Sequence, residues 1–165
     1  MLALLARSPY RRWPVHQLVR RFIKTGIAFL LIGILLGAYM LVERELFARW
    51  PSPYLVSAHA HLVLVGFVMF LIMGVALWLF PRPERGDERY HPERARVAYW
   101  LLTLATATRF GFEAARAWTT ATWLGWLVVA GGLGQAAGLM LYFWTLWPRI
   151  RAVGSHLREA GGERF

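Results

Sequence analysis

Cysteine is absent from all 165 residues, which excludes structural disulfides, thiolate metal ligation, iron–sulfur clusters and Cys-type zinc sites. Histidine, methionine and carboxylates are the only side chains left to hold a metal. Negative charge is sparse as well, with 9 acidic against 19 basic residues and a net charge of +10. Lysine is nearly missing, since Lys24 is the only one; the preference for arginine fits a GC-rich genome and is compatible with a thermophile. No catalytic base, nucleophile pair or phosphate-binding loop is visible. What is abundant is apolar surface: 58% of the residues are hydrophobic and nine are tryptophan. The basic residues flank the apolar stretches, where they set topology and touch anionic lipid, so no nucleic-acid partner is expected. The chain reads as an all-α, polytopic integral membrane protein.

Hydropathy divides it into four spans, 22–42, 55–80, 97–112 and 119–147, each near the roughly 20 residues that cross a bilayer. Arg109 and Glu113 shorten the apolar part of the third. The segment 1–21 mixes Tyr10, Trp13, Leu18 and Val19 with Arg11, Arg12, Arg20 and Arg21, as an interfacial lead-in would. Its first residues, Met1 to Arg7, are too short an apolar patch for a secretory signal and are expected to be retained. Prolines and charges make 81–92 a solvated connector, and 148–165 is a tail. Fifteen basic residues fall before the first span, in the 82–96 loop or after the fourth span, against Arg44, Arg49, Arg109 and Arg116 on the other side. The positive-inside rule then predicts a four-helix bundle with both termini in the cytoplasm. Trp50, Tyr54, Trp118 and Trp123 mark one interface, and Trp78, Tyr99, Trp100, Trp144 and Trp147 the other. Gly33-x-x-x-Gly37 and Gly134-x-x-x-Gly138 allow close helix approach, within the chain or across a homo-oligomer.

His59 and His61 open the apolar run that continues to Phe80. Intramembrane ionisable side chains are expensive, which makes function the default expectation for at least one of them. Positions two apart point about 200° away from each other on a helix, so the pair cannot ligate one iron. His59 shares its face with Leu62, Val63 and Gly66, and the glycine leaves room for a planar group or a neighbouring helix. For His61 the simplest role is a hydrogen bond to another helix. A six-coordinate heme at His59 would need a second axial ligand at the same depth. His61, Met40 or a residue of another chain are the candidates, with Met40 and His59 each expected about one turn from their helix ends. Arg109 and Glu113, spaced i, i+4, read either as an interfacial ion pair or, for Arg109, as a partner for a heme propionate. Gln135 is expected to make an interhelical hydrogen bond.

Val56-Ser57-Ala58-His59-Ala60-His61, followed by Phe67, Met69, Met73-Gly74 and Leu79-Phe80-Pro81, resembles the second transmembrane helix of heme-copper oxidase subunit I. The nearest flavour is the nitric oxide reductase and cbb3-type oxidase branch, with the small four-helix membrane proteins related to it. The resemblance implies that His59 is an axial ligand of one b-type heme near the outer end of that helix. It covers the first two helices well and the last two poorly. Four helices lack the later histidines that complete the family's second heme and metal site, so no complete oxidase or reductase is expected. These expectations combine into a b-type heme protein of respiratory electron transfer in the bacterial cytoplasmic membrane. The alternatives are a heme-free accessory or assembly subunit of a larger respiratory oxidase or nitric oxide reductase, or a copper- or heme-handling protein using His59 and His61 transiently.

Overall fold

A computed structural model describes residues 15–80, 92–150 and 161–162; all of the expected connector but Pro92, most of the lead-in and most of the tail lie outside them. All regular structure among the described residues is helical. Helix α1 is Val15–Phe47, α2 is Pro53–Leu79, α3 is Pro92–Ala115, and α4 is Trp123–Leu146, with a 3-10 turn at Trp147–Arg149. Three segments, Gln17–Phe47, Pro53–Leu79 and Trp123–Arg149, are long and apolar enough to cross a membrane. In α3, charged residues at 93, 94, 96, 109 and 113 dilute an otherwise apolar sequence.

The helices outrun the apolar spans that hydropathy marks out. Helix α1 begins seven residues before Phe22 and continues through Glu43-Arg44-Glu45, because backbone hydrogen bonding persists wherever no breaker intervenes. It stops at Ala48, whose φ of 53° is left-handed, and Arg49 N–H turns back to the Glu43 carbonyl at 3.0 Å. Ser52 then starts α2. Its hydroxyl accepts from Tyr54 N–H at 3.3 Å, and Pro53 occupies the first turn, where a missing N–H costs nothing. Within α2 the stretch Leu62–Met69 is wound as a π-helix. Such segments are uncommon and concentrate at functional sites.

Glycine sets the helix pairing. Against α2, a Cβ on Gly33 would sit 2.8 Å from Val63 and one on Gly37 would sit 2.9 Å from the His59 ring. Against α3, a Cβ on Gly134 would come within 2.9 Å of Ala105, and one on Gly138 within 2.6 Å of Leu102. Both glycine pairs are therefore occupied by contacts inside the chain. At one end of the bundle all four helices meet. The ring of Phe22 lies 5.5 Å from Phe70, 5.1 Å from Tyr99 and 5.7 Å from Tyr142, and all four are buried. Edge-on aromatic packing of this kind adds roughly 0.5–1.5 kcal/mol per pair beyond the buried area. Polar tips are satisfied there too: Thr25 and Tyr99 share a hydrogen bond of 2.8 Å, and Tyr142 donates to the Met73 carbonyl. Arg149 closes the C-terminal end of α2 by donating to the Leu77 and Phe80 carbonyls at 3.1 and 2.9 Å. The opposite end, where α2 starts, is left to the histidines and their polar partners.

Candidate functional site

His59 lies six residues into α2, about 9 Å from its start at 1.5 Å per residue, and Met40 lies about 10 Å before the end of α1. Both are deeper than the single turn expected from hydropathy, because each helix extends beyond its apolar span. The His59 imidazole is half-buried against α1, where its Nδ1 donates to the Gly33 carbonyl at 3.0 Å. A carbonyl only accepts, so Nδ1 carries a proton, and in the neutral ring the lone pair is on Nε2. The bond is possible because Gly37 carries no side chain to hold the ring away and Gly33 none to push Val63, and with it α2, off α1.

Two residues on, His61 faces α3 instead. Its Nδ1 donates to the Ser57 carbonyl at 2.9 Å and lies 3.9 Å from Glu113 Oε2. The two histidines thus serve different helix pairs, as a separation of about 200° requires. The Ser57 hydroxyl donates to Glu113 Oε1 at 2.8 Å, and Arg109 Nη2 lies 3.5 Å from the same oxygen. Arg109 Nη1 donates to Gln135 Oε1 at 3.3 Å, while Gln135 Nε2 donates to the Thr106 hydroxyl at 3.1 Å. A continuous polar chain therefore crosses α2, α3 and α4 within largely apolar surroundings. Glycines on α4 admit its largest member: a Cβ on Gly131 would lie 2.8 Å from the Arg109 Cβ, and one on Gly132 3.1 Å from its Nη1. Nearer the α2 start, Arg116 stacks over the Tyr54 ring at 4.4 Å and donates to its hydroxyl at 3.0 Å.

Of the residues singled out from sequence, His59 and the Gly33–Gly37 face come together. Met40 sits three residues beyond Gly37, about 4.5 Å further along α1. Gly66 is covered by Phe29, whose ring atoms would lie 3.0 Å from an added Cβ; a side chain of α1, not open space, fills that surface. Arg109 joins Glu113 and Gln135 rather than His59. Sequence reasoning recognised the Arg109–Glu113 spacing but missed that Ser57 and His61 complete it. The signal was the i, i+4 spacing of Ser57 and His61 on one helix face.

Whether this donor set suits a heme can be asked of the atoms present. A histidine that ligates a metal through one nitrogen nearly always donates its other N–H to a carbonyl or carboxylate; His59 has that arrangement, and fits one axial position. His61 is turned to α3 and does not supply the other. Among the described residues no group of three or more His, Asp or Glu side chains is placed to hold a metal ion. Comparison of the chain with models of known protein families, with curated proteins and with solved structures gave no match.

Proposed function

We propose that the chain is a b-type heme-binding membrane protein of respiratory electron transfer, similar to a shortened heme-copper oxidase subunit I, with His59 as an axial ligand. The observation that carries this reading is the 3.0 Å bond from His59 Nδ1 to the Gly33 carbonyl, which in the neutral imidazole puts the lone pair on Nε2. A bound b-type heme supplies a reversible one-electron carrier. Around it, Gly33 orients the imidazole and Gly37 keeps the α1 backbone close, so the ring has little freedom to rotate. Met40, or His59 of a second copy as in a homodimer, would be the other residue to hold the group.

In this proposal α3, the third in chain order, also crosses the membrane to make four spans, with both termini and the 81–92 connector in the bacterial cytoplasm. Its 24 residues reach about 36 Å at helical rise, and Arg109 and Glu113 oppose each other's charge within the bundle. Membrane lipid and a larger respiratory oxidase or reductase are the partners.

A second reading, a heme-free accessory subunit of such a complex, is favoured by a different observation. Phe29 fills the surface at Gly66 and the His59 ring edge lies flat on Gly37, so His59 would serve only to join α1 to α2. A reduced-minus-oxidised spectrum of the protein purified from heme-replete cells separates the two. A b-type band that disappears in His59→Ala is expected. A colourless protein that co-purifies with a larger oxidase establishes the second reading instead.

A further inference from the structure

We propose that the outer face of α4 is a self-association surface, through which two copies of the chain pair their α4 helices in parallel within the membrane. The two glycine pairs that sequence offers for such a seam are filled by contacts inside the chain, so the surface has to lie elsewhere. Helix α4 turns Leu124, Gly131, Gln135, Gly138 and Tyr142 into the bundle. On its opposite side Trp126, Leu133, Met140 and Trp147 recur every seven residues and are 67–78% exposed. Trp147 opens the 3-10 turn but keeps helical φ and ψ, so it continues the row. Beside them run Ala130, Ala137 and Trp144, likewise seven apart and exposed.

Residues seven apart share a face on any helix. What distinguishes this face is its sorting by size, with large side chains in one row and alanines beginning the next. Helix α1 supplies the contrast: its exposed Ile27, Leu31, Ile34 and Leu41 are all bulky, a surface that acyl chains cover without regard to position. Lipid tails are as apolar as leucine, so helices associate in a membrane through close packing, which small residues permit. A two-fold contact needs projections and recesses on one and the same surface. Here Leu133 and Met140 project and Ala130 and Ala137 recede, in the alternating four-and-three spacing of a coiled-coil seam. The drift of about 20° per heptad is taken up by a left-handed crossing.

Charge and area agree with a second copy as the occupant. From Trp123 to Pro148 there is no Asp, Glu, Lys or Arg, so identical faces meet without like-charge repulsion. At three-quarters exposure the three tryptophans alone offer roughly 350–550 Å². With Leu133, Met140 and the alanines the face approaches the about 800 Å² per partner of a standard interface. The row ends in an open apolar hollow lined by Phe143, Trp144, Trp147 and Pro148, where aromatic side chains of the two copies interlock. The pairing does not rest on the heme reading, but it bears on it. Ser57 of α2 reaches Glu113 of α3, and Arg109 of α3 reaches Gln135 of α4, so α3 stands between α4 and the start of α2. A dimer through the outer face of α4 keeps the two copies of His59 apart, and leaves Met40 as the second residue for a group held at His59.

The natural chain has no cysteine, so single introduced cysteines report proximity cleanly. In oxidised proteoliposomes of the full chain, Ala130→Cys and Ala137→Cys should form disulfide-linked dimers about tenfold more than Leu35→Cys and Ile72→Cys, because a disulfide needs Cα atoms within about 7 Å. Leu35 and Ile72 are exposed on α1 and α2. Native mass spectrometry from nanodiscs should give two chains per particle for the wild type and for Ala38→Leu, and one for the double variant Ala130→Leu with Ala137→Leu. Because both alanines are exposed, that variant should keep its circular dichroism. Equal cross-linking at all four positions, a dimer that survives the double variant, one chain with lipid alone in the wild type, or a different subunit in place of the second copy overturns the proposal. Neither measurement requires heme, so a colourless dimer defeats only the heme reading and a pigmented monomer only this one.

Discussion

At the scale of single residues, the positions that matter most are those where a side chain is missing. Gly37 lets an imidazole lie on α1, and a Cβ there would be 2.9 Å from His59 Cε1, closer than van der Waals contact allows. Gly37→Ala should therefore destabilise the protein by about 1–3 kcal/mol, the range for overpacking a tight contact, and lower its detergent-solubilised melting temperature. Gly111 supplies the contrast, since a Cβ there meets nothing within 4 Å and the position is exposed on α3. Gly111→Ala should raise the melting temperature, by about 0.5–1 kcal/mol of helix propensity. Opposite shifts from one chemical change would confirm that contact, not composition, governs these glycines. The histidines illustrate how far the sequence reaches at this scale. That His59 and His61 face apart follows from helix angle alone. That one rests on a Gly33 carbonyl and the other approaches Glu113 depends on how the helices are juxtaposed.

At the scale of the helix, boundaries and winding are where hydropathy and structure part. Apolar content marks 22–42 as a span, yet α1 runs Val15–Phe47, because a helix ends where its backbone is broken and not where its side chains turn polar. The break is Ala48, held at φ 53°, a conformation that costs an L-residue roughly 1–2 kcal/mol and costs glycine little. Ala48→Gly is accordingly expected to stabilise the α1–α2 junction by about 1 kcal/mol, read as an upward shift in thermal unfolding; a downward shift would show that the turn is not held in this geometry. The π-wound stretch Leu62–Met69 has no periodic signature in an unbroken apolar run. Every residue between 62 and 70 except Gly66 is bulky and apolar, so a change in helical pitch leaves the pattern unaltered.

At the scale of the whole molecule, four helices converge on Phe22, Phe70, Tyr99 and Tyr142, while the opposite end carries the polar chain from His61 to Thr106. The proposed orientation, with the aromatic end toward the cytoplasm, is checked by reporter fusions at the N-terminus, after residue 86 and at the C-terminus. All three should report cytoplasmic, and a reporter outside at residue 86 would reverse the reading of α2. By itself the sequence determined that the chain is helical and suited to a membrane, and that His59 and His61 point apart, because these follow from apolar content and helical angle. Only the tertiary structure decided what each polar side chain meets. Ser57 lies 56 positions before Glu113, and Arg109 lies 26 before Gln135, and nothing in local periodicity specifies that the approach of α3 to α2 and α4 brings them into one line of hydrogen bonds and an ion pair. The unusual pair of histidines is thus a sequence fact, and their division between a glycine face and a buried carboxylate a consequence of packing.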